Sequence, residues 1–176
     1  MILFPSFFTK AFELKQNSAR EYNNRGNLSS IAGDCGEAIE DYTRAIEINP
    51  KYAQAYYNRG IAKIYLGDNR GAIEDFTKAI ELNPNDVESY NNRGISKVKL
   101  QDYRGAIQDY HKAIEINPDN AKAYHNLGIA EKQLRNDKGN NHNYEHSINL
   151  NAEHSEASDN HNNPKYLMAE KKWNFT

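Results

Sequence analysis

From residue 19 to residue 120 the chain repeats itself every 34 residues, and this period constrains the fold more than any other feature. Tyr22, Tyr56 and Tyr90 occupy one slot; Asn24, Asn58 and Asn92 the next but one; then come Arg25, Arg59 and Arg93, and Gly26, Gly60 and Gly94. Further along, Ala38, Ala72 and Ala106, then Ala45, Ala79 and Ala113, then Pro50, Pro84 and Pro118 keep the same step. A unit this short cannot bury a core alone, so consecutive units must stack and the core must be thin and layered. A hydrophobic fraction of 38% over 176 residues is low for one deep core and agrees with that.

Within each unit, apolar or small residues recur twice at helical spacing, as in Tyr56, Gly60 and Ile64, then Ala72, Phe76, Ala79 and Ile80. Each unit therefore reads as two short helices. The break between them falls at Gly33-Asp34, Gly67-Asp68 and Gln101-Asp102, where glycine can end one helix and aspartate can cap the next. The second helix stops before Asn49-Pro50, Asn83-Pro84 and Asn117-Pro118, because proline disfavours helical geometry in the residue ahead of it. Asp41, Asp75 and Asp109 recur with the three arginines. Two accounts follow, a repeated Arg/Asp pair inside each hairpin or a basic ladder for a ligand.

The same ruler divides the whole chain. Phe8, Thr9, Lys10, Ala11, Glu13 and Leu14 match Phe76, Thr77, Lys78, Ala79, Glu81 and Leu82 two periods on, so residues 1–18 read as a half repeat, a second helix lacking its first. Full repeats are expected at 19–52, 53–86 and 87–120. Residues 121–154 read as an eroded fourth repeat, frayed from about Asn136, because Asn140 and Asn141 replace Ala-Ile. Residues 155–176 read as an Asn/His-rich linker and a C-terminal capping helix that begins at Pro164 and carries Tyr166, Leu167 and Trp173. Phe4, Phe8 and Phe12 are expected at an under-covered apolar end that invites a partner or a second copy of the chain.

The pattern Tyr-x-x-x-Gly, Ala-x-x-x-Phe/Tyr-x-x-Ala, then Pro at a 34-residue period resembles the tetratricopeptide repeat family; the arginines stand where that family usually has an aliphatic residue. The resemblance implies an all-α, right-handed α-solenoid whose first helices line a concave groove. That face would carry Arg20, Asn23, Asn24 and Asn27, then Gln54, Tyr57, Asn58 and Ile61, then Glu88, Asn91, Asn92 and Ile95, then Lys122, His125, Asn126 and Ile129. Chaperone adaptors of the family hold a C-terminal carboxylate in a cationic and amide clamp. Here Asn27 and Asn58 match its amide positions, but Asn23, Glu88 and Asn92 replace Lys, Lys and Arg, which disfavours a chaperone tail. The groove offers instead Asn24, Asn58, Asn92 and Asn126, one amide per repeat, each able to satisfy both polar groups of a peptide unit. With first helices roughly 10 Å apart, one amide meets every third residue of an extended peptide at about 3.3 Å per residue. Tyr57, Ile61, Ile95 and Ile129 would supply apolar contacts between them. The competing account is that each Asn bonds the neighbouring helix.

Other classes have less support. Against 22 basic residues stand 24 acidic ones, and no block of like charge occurs, so neither nucleic acid nor an anionic membrane is expected as partner. The lone Cys35 suits a reducing compartment, and the cytoplasm is the expected location. His142, Glu145 and His146 spell H-x-x-E-H, which on a helix can hold zinc with His154, Glu153 or Glu156 as a third ligand, but Tyr144 sits in the repeat's aromatic slot and the segment is poor in helix formers. No enzyme activity, cofactor or metal is expected. The expected function is a scaffold or adaptor for an extended peptide, with a self-assembling solenoid as the alternative and a zinc metalloprotease through the H-x-x-E-H string as a remote one.

Overall fold

The computed structural model describes the backbone of residues 4–135 and of 143, 146, 149 and 150, and the side chains of 18–134 and of those same four. Its helices are α1 (Phe4–Ala32), α2 (Cys35–Ile48), α3 (Ala53–Tyr65), α4 (Asn69–Leu82), α5 (Val87–Lys99), α6 (Tyr103–Ile116) and α7 (Ala121–Arg135). No strand occurs among the described residues, and each helix packs on the next, so the architecture is an all-α solenoid. None of the helices among the described residues is long and apolar enough to cross a membrane.

Helix ends follow local chemistry. Asp34, Asp68 and Asp102 cap α2, α4 and α6 by accepting hydrogen bonds from the backbone N–H groups of Glu37, Gly71 and Gly105 at 3.1, 2.9 and 3.0 Å. Those helices end at Asn49, Asn83 and Asn117, whose backbone leaves helical geometry ahead of the prolines while still donating to Ala45, Ala79 and Ala113. The first helices close with a left-handed residue: Gly33 at φ 90°, Gly67 at φ 80° and Gln101 at φ 63°. Behind each of them the aspartate N–H reaches back to a carbonyl of the last turn, Ser29, Lys63 or Lys97, at 2.9 Å.

Only Gln101 carries a side chain in that left-handed slot, where a Cβ crowds the following carbonyl. Gln101→Gly is therefore expected to stabilise the third repeat by about 0.5 to 1 kcal/mol, after the added freedom of glycine in the unfolded chain is set against the relieved strain. A rise in the urea midpoint checks this; a fall would mean that Gln101 makes a contact worth more than its backbone strain.

Packing is layered as the repeat requires. Ala38, Tyr42 and Ala62 form one cluster, Ile80, Tyr90, Ala113 and Ala123 another, and Ala106, Tyr110, Leu127 and Ala130 a third. Each layer joins a second helix to the first helix that follows it. Small and aromatic residues alternate: the rings of Tyr42, Phe76 and Tyr110 lie against Gly26, Gly60 and Gly94, which leave no Cβ in their way.

One boundary differs from expectation. Residues 1–18 were to form a second helix separate from the first full repeat, but α1 runs unbroken from Phe4 to Ala32. The cause is visible in the repeat frame: Gln16 stands where Pro50, Pro84 and Pro118 end the other second helices, so nothing forces the chain out of helical geometry. The expected linker and capping helix of 155–176 lie outside the described residues. Of the eroded fourth repeat's second half, Asn143, His146, Asn149 and Leu150 are helical, and Leu150 is buried.

Candidate functional site

First helices touch one another along the stack, α1 with α3, α3 with α5 and α5 with α7, whereas α2, α4 and α6 make no such contacts among themselves. A stack that closes on one side and spreads on the other is curved, with the first helices on its inner face.

The arginine slot does not open onto it. Arg59 donates through Nε and Nη2 to both carboxylate oxygens of Asp75 at 2.9 and 2.6 Å, and Arg93 does the same to Asp109 at 3.0 and 2.6 Å. Lys63 and Lys97 add a second cation to each aspartate at 2.8 Å. Nη1 of each arginine also reaches the preceding second helix, at Thr43 and Thr77, both at 3.0 Å, and the guanidinium lies over the ring of Tyr56 or Tyr90. Of the two accounts, structural pairing is what the geometry shows. Arg25 pairs with Asp41 as well, but it is 62% exposed, and Ser29 replaces the lysine. In the fourth repeat the set becomes Leu127, Glu131 and Asn143, with Asn143 donating to Glu131 at 2.7 Å.

The amide slots do lie at the contacts between first helices. Asn58 Nδ2 donates to Asn23 Oδ1 and Asn27 Oδ1 on α1, both at 3.0 Å, and Asn58 Oδ1 accepts from Gln54 at 2.8 Å. One repeat on, Asn92 Nδ2 donates to the hydroxyl of Tyr57 on α3 at 3.2 Å and to the Glu88 carbonyl at 2.9 Å. Both amides thus spend their N–H donors on neighbours. Two of the residues expected on the groove surface, Asn23 and Asn91, are buried instead, because the adjacent first helix closes over that slot. Asn24 is exposed; Asn58, Asn92, Ile61 and Ile95 are part-exposed, as is Asn126, and Ile129 is exposed.

The regular rungs, Asn23 with Asn58 and Tyr57 with Asn92, each join residues 35 apart. The next rung by that rule is Asn91 with Asn126, and it is not made: Asn91 is 2% exposed, and neither its amide nitrogen nor its oxygen has a hydrogen-bond partner. No spacing argument could have found this, because Asn91 occupies the slot that Asn23 fills with a bonded amide.

Tyr57 is the other polar group at this face. Burial, followed by the charges of Glu88 and Asp86, pushes its phenol up to about 12, so it stays protonated and can donate while accepting from Asn92. Its ring packs at 5.8 Å from that of Phe76. Of the H-x-x-E-H string, His142 and Glu145 lie outside the described residues. His146 stacks edge-on against Tyr124 at 4.4 Å, and no group of metal-binding side chains occurs among the described residues.

Comparisons with known proteins follow the same outline. The family described as TPR repeat matches residues 31–64 and 96–134, and tetratricopeptide repeat families match 53–86 and 76–108. The chain belongs to the tetratricopeptide-repeat family. Among solved TPR structures, the Arabidopsis OM64 TPR domain is 30% identical, with a TM-score of 0.63 over 69% of this chain and 98% of that one. The first TPR of Spaghetti (RPAP3), bound to the HSP90 peptide SRMEEVD, is 28% identical, with a TM-score of 0.67 over 68% and 95%. The second TPR domain of human RPAP3, in complex with the HSP70 peptide SGPTIEEVD, is 27% identical, with a TM-score of 0.64 over 69% and 98%. No curated protein matches the chain.

Proposed function

We propose that this TPR protein is a non-catalytic adaptor whose inner face binds an extended peptide along α3, α5 and α7, where Asn126, Ile61, Ile95 and Ile129 reach solvent. The row of accessible groups on the first helices carries this reading. Part-exposed Asn126 can satisfy the N–H and C=O of one peptide unit, with Ile95 and Ile129 beside it for aliphatic side chains. Asn91, 2% exposed beneath the neighbouring first helix, is closed to a peptide. The peptide-bound TPR neighbours support a peptide as the ligand class. The lone, unpaired Cys35 supports a reducing compartment such as the cytoplasm.

The ligand differs from a chaperone tail. Asn23, where a clamp needs lysine, is buried and bonded to Asn58, and Glu88, where it needs a second lysine, is an exposed carboxylate that repels an acidic peptide. The partner segment is therefore uncharged or basic, with aliphatic side chains. Selection of a displayed random-peptide library on the intact chain tests this, with the peptide SRMEEVD as the comparison. Selected peptides are expected to lose about 1 to 3 kcal/mol of affinity on Asn126→Ala, while the thermal midpoint of that variant barely changes. Tight binding of SRMEEVD, or unchanged affinity in Asn126→Ala, would sink the proposal.

A further inference from the structure

The unbroken α1 has a consequence for the flank it exposes. In the other repeats, the first helix packs on the second helix of the repeat before: Ala62 shares a cluster with Ala38 and Tyr42, Tyr90 with Ile80, and Leu127 and Ala130 with Ala106 and Tyr110. The corresponding flank of α1 is open. Leu28 is 68% exposed, whereas Ala62, Ser96 and Ala130, in the same slot, are fully buried. Arg25 is exposed on the same flank, where Arg59 and Arg93 are covered.

The segment that belongs there by sequence is Phe4–Asn17, which carries the residues of a second helix. The most telling is Thr9. Where a second helix offers threonine, at Thr43 and Thr77, the following first helix has an arginine bonded to it; where it offers His111 instead, the following slot is Leu127. Thr9 precedes Arg25 by the same 16 residues, so this pair is kept as the structural pairs are. Yet Phe4–Asn17 and Ala19–Ala32 are halves of one continuous helix, and a helix cannot lie against itself.

We propose that two copies of the chain exchange this segment. In an antiparallel pair of α1 helices, residues 4–17 of each copy cover residues 19–32 of the other. The repeat frame supplies the contacts: Phe8 on Leu28 from Tyr42 and Ala62, Phe12 on Tyr22 from Ile80 and Tyr90, and Thr9 accepting from Arg25 as Thr43 does from Arg59. All three pairs are centred on residues 17–18, and a single centre is what two antiparallel copies of one helix need if a two-fold axis relates them. Gln16 in the proline slot is the hinge, straightened into helix so that the hairpin closes between chains instead of within one. The groove reading is independent of this, because its residues lie on α3, α5 and α7.

The experiment uses the full chain. Size-exclusion chromatography with light scattering across a concentration series is expected to give twice the monomer mass, and Gln16→Pro, which restores the break of the other repeats, is expected to give a monomer. Because the proline variant could be monomeric through misfolding, a second measurement fixes the contact itself. Phe8→Cys with Leu28→Cys, in a Cys35→Ser background and oxidised with oxidised glutathione, is expected to run as a covalent dimer on a non-reducing gel. A monomeric parent, a Gln16→Pro variant that remains dimeric, or a cross-link that forms only within one chain would each overturn the exchange.

Discussion

Asp109→Ala is expected to destabilise the third repeat by about 3 to 5 kcal/mol, the scale seen when one partner of a buried ion pair is removed. Asp109 is 4% exposed and holds two cations, Arg93 and Lys97, that are themselves mostly covered. Without the carboxylate, both charges are left in a region closed off by Tyr90 and by the preceding second helix through Thr77. Asp41→Ala should cost much less in the monomer, because Arg25 is exposed there and no lysine shares the carboxylate. Urea denaturation of the two variants, with hydrogen exchange to place the loss in α5 and α6, checks the difference. Equal losses would show that burial does not set the energy of these pairs. The chain also carries its own replacement for the set. Arg93→Leu, Lys97→Glu and Asp109→Asn together copy Leu127, Glu131 and Asn143, and this triple variant should recover most of the stability that Asp109→Ala loses.

Why some of this was legible in the sequence and some was not comes down to which information a period carries. Helix ends were readable because each is set by one or two adjacent residues: the expected break at Gly67-Asp68 lies between α3, which ends at Tyr65, and α4, which begins at Asn69. The Arg/Asp pairs were readable because both signs recur at one spacing. Lys63 and Lys97 recur at it too, and that signal for the second cation was present but unused. The straight α1 turned on the absence of a residue, proline at position 16, which a search for matching slots passes over. Burial at the inner face was not readable at all. Helical spacing places Asn91 beside Ile95 and Glu88, which is correct for its own helix, but whether the slot meets water or the next first helix depends on how closely helices of different repeats approach. For the same reason the amide row could be found as a row, while its two closed rungs and its open one could not.

Gly94→Ala is expected to lower stability by about 2 kcal/mol, although alanine is the better helix former by about 1 kcal/mol. The added Cβ would lie 2.5 Å from Cε1 and 2.8 Å from Cζ of the Tyr110 ring, a separation that requires something to move. The ring is 1% exposed and packed with Ala106, Leu127 and Ala130, so it has no free space to swing into. Either α6 must back away from α5, which also pulls Asp109 from Arg93, or the ring must press into α7. Overpacking of this kind costs about 1 to 3 kcal/mol, and the confinement on both sides places it at the upper end, which exceeds the propensity gain. A double-mutant cycle separates the two contributions. With Tyr110→Leu in the background the obstacle is gone, so Gly94→Ala should become neutral or stabilising, giving a coupling of about 2 to 3 kcal/mol between the positions. If Gly94→Ala were as stable as the parent in both backgrounds, the distance between the two helices of a repeat would not be set by the aromatic ring seated on the glycine.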